Sequence, residues 1–287
     1  MGRPGWCRFA AAAVLFMCLA WGAHGVCEPL ASKVPWPALY GNAGFTAFQT
    51  SVGTPIGQCN WELQYPRTEV PWVPTFSGGG NLAMDNEGRV LVAMESTNDG
   101  PTTAAVAAVN ATTGKALFLT PLAQHSGNVV VLVGAHNMVF VIGADAGAST
   151  TTDAAAANTT VRVTVLHSAT GQVLQSATLV GVVSLTSGTP AALSVDGTKL
   201  FVVSSPQLSV FSVDASTLSV ESVVRMESTF AGPCASSWSV PSWSAATVPG
   251  DVLVFEVHAT SCYPTRLAVV DMQVCLFACC ALSMSLA

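Results

Sequence analysis

Lys199-Leu200-Phe201-Val202-Val203, Leu208-Ser209-Val210-Phe211-Ser212-Val213 and Val220-Glu221-Ser222-Val223-Val224 follow one another across short polar connections, and they decide the fold. Val and Phe dominate them, and β-branched and aromatic residues suit a pleated, half-buried surface. The first run is apolar on both faces, as in a sheet covered from both sides. The second alternates apolar and polar, which predicts one face toward polar surroundings. Ala191-Ala192-Leu193 precedes them across Asp196-Gly197, and Ala215-Ser216-Thr217 separates the last two. Residues of these types accept the φ > 0 conformations that tight hairpins require. The stretch therefore reads as four short antiparallel strands.

The same plan recurs outward in both directions. Upstream it runs Val129-Val130-Val131-Leu132-Val133, Met138-Val139-Phe140-Val141-Ile142, Val161-Arg162-Val163-Thr164-Val165-Leu166 and Gln172-Val173-Leu174. The first turns of successive copies are Asn86-Glu87-Gly88, His136-Asn137, Asp196-Gly197 and Pro249-Gly250. The second turns are Thr112-Thr113-Gly114, Ala169-Thr170-Gly171 and Ala215-Ser216-Thr217. The spacing becomes nearly uniform once the polar loop Ser96–Thr103 and the Ala/Thr-rich insertion Asp145–Thr159 are set aside. A period of roughly 50 residues with four short strands per copy indicates a propeller or a similar array. A β-sandwich also uses short strands but requires no fixed internal repeat. The expected fold is all-β: a partial β-propeller of about four to five four-stranded antiparallel blades after an N-terminal signal helix. The expected organisation is residues 1–25 as signal peptide, 26–76 as a Trp/Pro segment and first partial blade, 77–273 as propeller-like repeats, and 274–287 as an apolar, aberrant tail. That tail carries no charge and stands where the fourth copy should place its second turn, just after Asp271, and its fourth strand.

Composition supports strands and narrows the function. The chain has 287 residues, half of them apolar and only 9% charged, whereas helical surfaces usually carry abundant Lys and Glu. The net charge is -6 and the ten basic residues are scattered, so no basic stripe exists to neutralise a nucleic-acid backbone. Arg3 and Arg8 border the apolar run Phe9–Ala20, which has the length of a secretory h-region and is short for a membrane span. Small residues between Gly22 and Val26 suit cleavage, and an uncleaved anchor is the alternative. The expected location is therefore secreted or extracellular surface, with membrane contact only through an uncleaved signal or the tail. In an oxidising compartment most cysteines should pair. Cys27 with Cys59 and Cys234 with Cys262 are the candidate disulfides, because each pair lies within one local unit, although sequence alone does not give pairing. Asn158 and Asn110 head glycosylation sequons, Asn158 in a polar insertion and Asn110 in a tight turn.

One stretch carries a family likeness. Ala107-Ala108-Val109-Asn110-Ala111-Thr112-Thr113-Gly114-Lys115-Ala116-Leu117-Phe118 resembles the repeat of pyrroloquinoline-quinone-like propellers, which reads Ala, apolar, Asp, two or three residues, Thr-Gly-Lys, an apolar residue and Trp. Here Asn110 replaces the Asp and Phe118 the Trp. Val165–Leu174 is a looser copy, and Ser212-Val213-Asp214-Ala215-Ser216-Thr217 recovers the Asp but lacks the Gly. Trp36–Asn42 resembles the opening segment of such proteins, and Cys59–Leu63 the strand that follows. The resemblance implies that the Asp or Asn and the Thr-Gly shape the turn between third and fourth strands, while the aromatic anchors the outer strand between blades. It implies a fold, not a bound quinone.

No catalytic, metal or cofactor residue is assigned. Quinone enzymes of the resembled family use calcium, a catalytic Asp and often a disulfide between adjacent cysteines. Cys279-Cys280 is such a pair but lies in the apolar tail, and no Asp matches the family's base. Among the five histidines, His258 lies four residues before Cys262, yet spacing places no further ligands. His125, His136 and His167 read as surface or turn residues. Asp145 and Asp153 bracket a loop without the spacing of a calcium loop. Ser236–Ser239 has no Gly-x-Ser-x-Gly elbow, and no phosphate loop occurs. The expected function is a non-enzymatic binding module for an unknown protein or glycan, without cofactor. The alternative is a truncated fragment of a quinone-dependent oxidoreductase.

Overall fold

The computed structural model describes residues 72–74, 82–96, 103–147, 159–184, 189–204, 208–226, 238–239, 246–248, 251–259, 266–272 and 276–281. The leader (1–25) lies outside them. Of residues 26–76, only Trp72–Pro74 is described. The described residues are all-β apart from turns.

The first unit is formed by β2 (Leu82–Met84), β3 (Arg89–Ser96), β4 (Thr103–Asn110) and the front of β5 (Ala116–Val133), each antiparallel to its neighbour. The short β1 (Trp72–Pro74) pairs with the far end of β3, beside β2. The rear of β5 then pairs with β6 (Met138–Asp145), followed by β7 (Thr159–His167) and β8 (Val173–Ser184), which makes the second unit. The third unit is β9 (Ala191–Leu193), β10 (Lys199–Ser204), β11 (Ser209–Asp214) and β12 (Val220–Arg225). In the fourth, β13 (Trp238–Ser239) and β14 (Ala246–Val248) share one edge of β15 (Val252–Ala259), followed by β16 (Arg266–Asp271) and β17 (Leu276–Ala281).

Two features depart from the sequence reading. The first two units are not separate sheets, because β5 runs unbroken from the outer edge of one to the inner edge of the next. The fourth unit does have a fourth strand: Leu276–Ala281 pairs with Arg266–Asp271, so these tail residues supply what the repeat demanded.

The core explains the stacking. Along each strand, alternate residues point to opposite faces. Leu91, Ala93, Val106 and Ala108 of the first unit pack on Val131, Val139 and Val141 of the second. The second unit's other face, with Phe140, Ile142, Val163 and Val165, packs on Leu200, Val202, Phe211 and Val213 of the third. The third unit's other face, with Phe201, Val203 and Val210, meets Leu253, Phe255, Val257 and Val270 of the fourth. The second and third units thus each bury one face on the predecessor and one on the successor, as propeller blades do. Such burial is worth about 1.5–3 kcal/mol per large side chain. β11 is buried on both faces, Ser209 and Ser212 included, so the alternation of Leu208–Val213 does not mark a solvated face. The exposed alternation falls one strand later, on β12.

The candidate functional site: two ends of the stack and a polar seam

Because the strands are joined as meanders, every second connection falls at the same end. Among the described residues one end carries tight turns, at 85–88, 111–115, 134–137, 168–172, 194–198 and 215–219. Side chains close them. Asn110 Oδ1 accepts from Thr112 N at 3.0 Å, Thr113 N at 2.9 Å and Thr113 Oγ1 at 3.0 Å. Asp214 Oδ1 does the same with Ser216 and Thr217, and the Ser216 hydroxyl first, then the Thr217 donors, hold its pKa down to about 2. His167 occupies the position in the second unit, with Nδ1 3.3 Å from Ala169 N. Four residues after each of these, the chain turns left-handed: Gly114 (φ 69°), Gly171 (φ 70°) and Leu218 (φ 55°). Leu218 fills the missing glycine position and buries its side chain in the core between the second and third units.

The turns also bolt one unit to the next. Phe118 and Thr120 of the first unit lie directly over Gly171 of the second, and Thr120 Oγ1 donates to Gly171 O at 2.8 Å. Gln175 stands four residues after Gly171, as Phe118 does after Gly114, and its Nε2 donates to Thr217 O of the third unit at 3.0 Å. Buried Arg89 donates from Nε to Asp85 Oδ2 at 2.6 Å, from Nη1 to Glu87 Oε2 at 2.6 Å and from Nη2 to Ser168 Oγ of the second unit at 2.9 Å. Asn137 Nδ2 donates to Glu87 Oε1 at 2.7 Å. Burial works against the Arg89 charge, but its bonds to Glu87 and Asp85 outweigh that and raise its pKa.

At the opposite end the strands lead into the connections 97–102, 146–158, 185–190 and 260–265, each of six residues or more, and into the four-residue 205–208. Beneath it, between the first two units, lies a polar seam. Asp145, the last residue of β6 rather than part of a loop, accepts from Arg162 Nη2 at 2.9 Å, Thr178 Oγ1 at 2.6 Å and Gly147 N at 3.0 Å. Burial pushes its pKa up, but these bonds prevail and lower it. Arg162 Nη1 also donates to Gln124 Oε1 at 2.7 Å. His125 is fully buried in β5, contrary to its reading as a surface or turn residue. Its Nε2 lies 2.8 Å from Thr164 Oγ1, which lies 2.9 Å from Ser176 Oγ. Its Nδ1 has no partner among the described residues. Burial first, and then the Arg162 charge, lower its pKa from 6.5 to about 4, with Asp145 opposing. Arg162 and Asp145 neutralise one another, and His125 is a neutral imidazole at physiological pH. The seam offers buried hydrogen-bonding capacity and fixed geometry.

Among the sequence candidates, Cys27, Cys59, Cys234, Cys262, Asn158 and Asp153 lie outside the described residues. Asn110 ends β4 with its carbonyl oxygen committed to the turn. Cys279 and Cys280 stand opposite Ala268 and Leu267 in β17. His136 (φ 57°) is an exposed turn residue, and His167 is exposed at the end of β7. Among the described residues no group of three or more His, Cys, Asp or Glu side chains is gathered for a metal, and no helix is long and apolar enough to cross a membrane.

No protein-family model matches the chain, and no curated protein matches it. Solved structures similar to the chain include three of low identity. A quinohemoprotein alcohol dehydrogenase from Comamonas testosteroni is 11% identical, with a TM-score of 0.47 over 88% of this chain and 42% of that one. A hydrazine synthase from Kuenenia stuttgartiensis is 14% identical, with a TM-score of 0.43 over 71% of this chain and 49% of that one. The GH43 protein BlXynB from Bacillus licheniformis is 9% identical, with a TM-score of 0.40 over 74% and 44%. The chain thus spans about half the length of these proteins or less. At this distance the likenesses decide nothing about chemistry, and the stacked meanders stand on their own pairing and cores.

Proposed function

We propose that this chain is a β-propeller-type module, secreted or displayed on the cell surface, that binds a protein or a glycan through the loop end of its stacked units and catalyses no reaction. The observation that carries the reading is the asymmetry of the stack. Its turn end is closed by short, side-chain-capped turns that fasten unit to unit. At the opposite end the strands lead into most of the longer connections. Loops held by a rigid scaffold are where recognition concentrates. The strongly bonded charges of the described residues, Asp85, Arg89, Asp145 and Arg162, serve the scaffold. The turn geometry at Asn110–Gly114 and the placement of Phe118 over Gly171 support descent from a quinoprotein-like repeat that has kept its scaffold role.

The test replaces residues 97–102 and 146–158, separately and together, with Gly-Ser linkers. Each protein is then screened against arrays of glycans and secreted proteins. A discrete ligand should bind the parent chain at least tenfold more tightly than the double replacement, with thermal unfolding unchanged. Binding indifferent to both replacements, or no ligand on either array, contradicts the proposal. A chromophore formed on adding pyrroloquinoline quinone with calcium favours the oxidoreductase alternative instead.

A further inference from the structure

We propose that His125 is an acid-operated latch on the seam between the first two units, holding β5 in place while the imidazole is neutral and releasing it when the imidazole takes up a proton. The position gives the residue leverage. β5 is the strand on which the first unit passes into the second, and His125 sits at the crossover, paired with Asp145 of β6. Its ring is fully buried. One nitrogen is tied to Thr164 Oγ1 of β7 at 2.8 Å, and the other meets no acceptor among the described residues.

In the imidazolium both nitrogens are charged donors, and the second has no acceptor among the described residues. Such groups are costly when kept from water. The charged surroundings do not absorb the new charge. From β4, Thr103 and Ala104 bring none. From β8, Ser176 and Thr178 bring hydroxyls only. β7 presents the cation Arg162. β6 presents Asp145, whose Oδ2 already receives Arg162 and Thr178 and whose Oδ1 receives Gly147 N. The relief available is to open the seam and give the ring to water, which exposes the crossover beneath the loop end.

The sign follows from linkage. A histidine whose folded pKa is depressed from 6.5 to about 4 favours the closed seam fully above pH 6.5 and loses that contribution as pH falls toward 4. Between pH 7.4 and pH 5.0 the opening equilibrium should rise about 25-fold. The carboxylates with lowered pKa values, Asp145, Asp196 and Asp214, lose their contributions only below their ordinary 3.8, so the two windows are separate.

Hydrogen exchange of the full chain at pH 7.4 and pH 5.0, corrected for intrinsic rates, tests this. Amides of 122–130 and 140–146 should show the 25-fold rise in opening, whereas amides of 199–213 in the third unit should change less than threefold. His125→Gln should remove the rise. A uniform change across units, no change at the seam, or the same rise in His125→Gln overturns the proposal. Should that variant fail to fold, the histidine NMR titration of the unmodified chain decides. Seam opening that tracks His125 protonation supports the latch. A ring that titrates near 6.5 without any change in seam exchange refutes it.

Discussion

Replacing Gly171 with Ala should destabilise the chain by about 3–4 kcal/mol in equilibrium urea unfolding. Two penalties coincide there. The residue has φ 70°, where a side chain costs about 1–2 kcal/mol. The new Cβ would also collide with Thr120 Oγ1 and with the ring of Phe118, both part of the outer strand of the preceding unit. Overpacking of this kind costs about 1–3 kcal/mol. Gly88 is the control: its φ is 75°, but nothing lies within 4 Å of a Cβ built on it. Gly88→Ala should therefore cost only about 1 kcal/mol. Equal losses at the two positions would mean that Phe118 does not dock on the neighbouring turn.

Arg89→Leu should cost about 3–5 kcal/mol, the usual penalty for removing one partner of a buried ion pair. Asp85 is wholly buried and would keep its backbone donors, Glu87 N and Arg89 N, while Oδ2 loses the guanidinium. The same change deletes the bond to Ser168 and so loosens the second unit from the first. Ser168→Ala alone should cost about 1 kcal/mol. Combining Asp85→Asn with Arg89→Leu should cost clearly less than the two single losses added together, because the orphaned charge is gone. Additive losses would show that the two groups do not act as a pair.

These positions also show what a sequence can disclose. The turns were legible because Asn110, Gly114, Gly171 and Asp214 are residue types with a local mechanism, and a local mechanism needs no tertiary context. The strands were legible from β-branched runs with their breaks. His125 was not legible. Gln124-His125-Ser126 reads as a polar connection, and its burial arises only because β6 and β7 close over the crossover. Nor was the continuity of β5, since Pro121 and Gly127 look like breaks; Pro121 pairs in register with Ala105, and Gly127 falls where the pairing shifts between Ser126 and Val130. Leu218 hid a turn position for the opposite reason. Its side chain gains enough burial to hold a backbone conformation that glycine would adopt freely. β17 was missed because its evidence is a partner: its pairing with Arg266–Asp271 is a tertiary fact that no local signal announces.

The central claim is that four antiparallel meanders stack in chain order, each packing on its neighbours through the cores of the described residues. Methyl–methyl NOEs in Ile-, Leu- and Val-labelled protein test it most directly. Contacts should link Val106 to Val139 or Val141, Ile142 or Val163 to Leu200 or Val202, and Val203 or Val210 to Leu253 or Val270. No contacts should link Leu91 or Val106 of the first unit to Leu200 or Val202 of the third. Cross-peaks between the first and third units, as two facing layers of a sandwich would produce, would contradict the account.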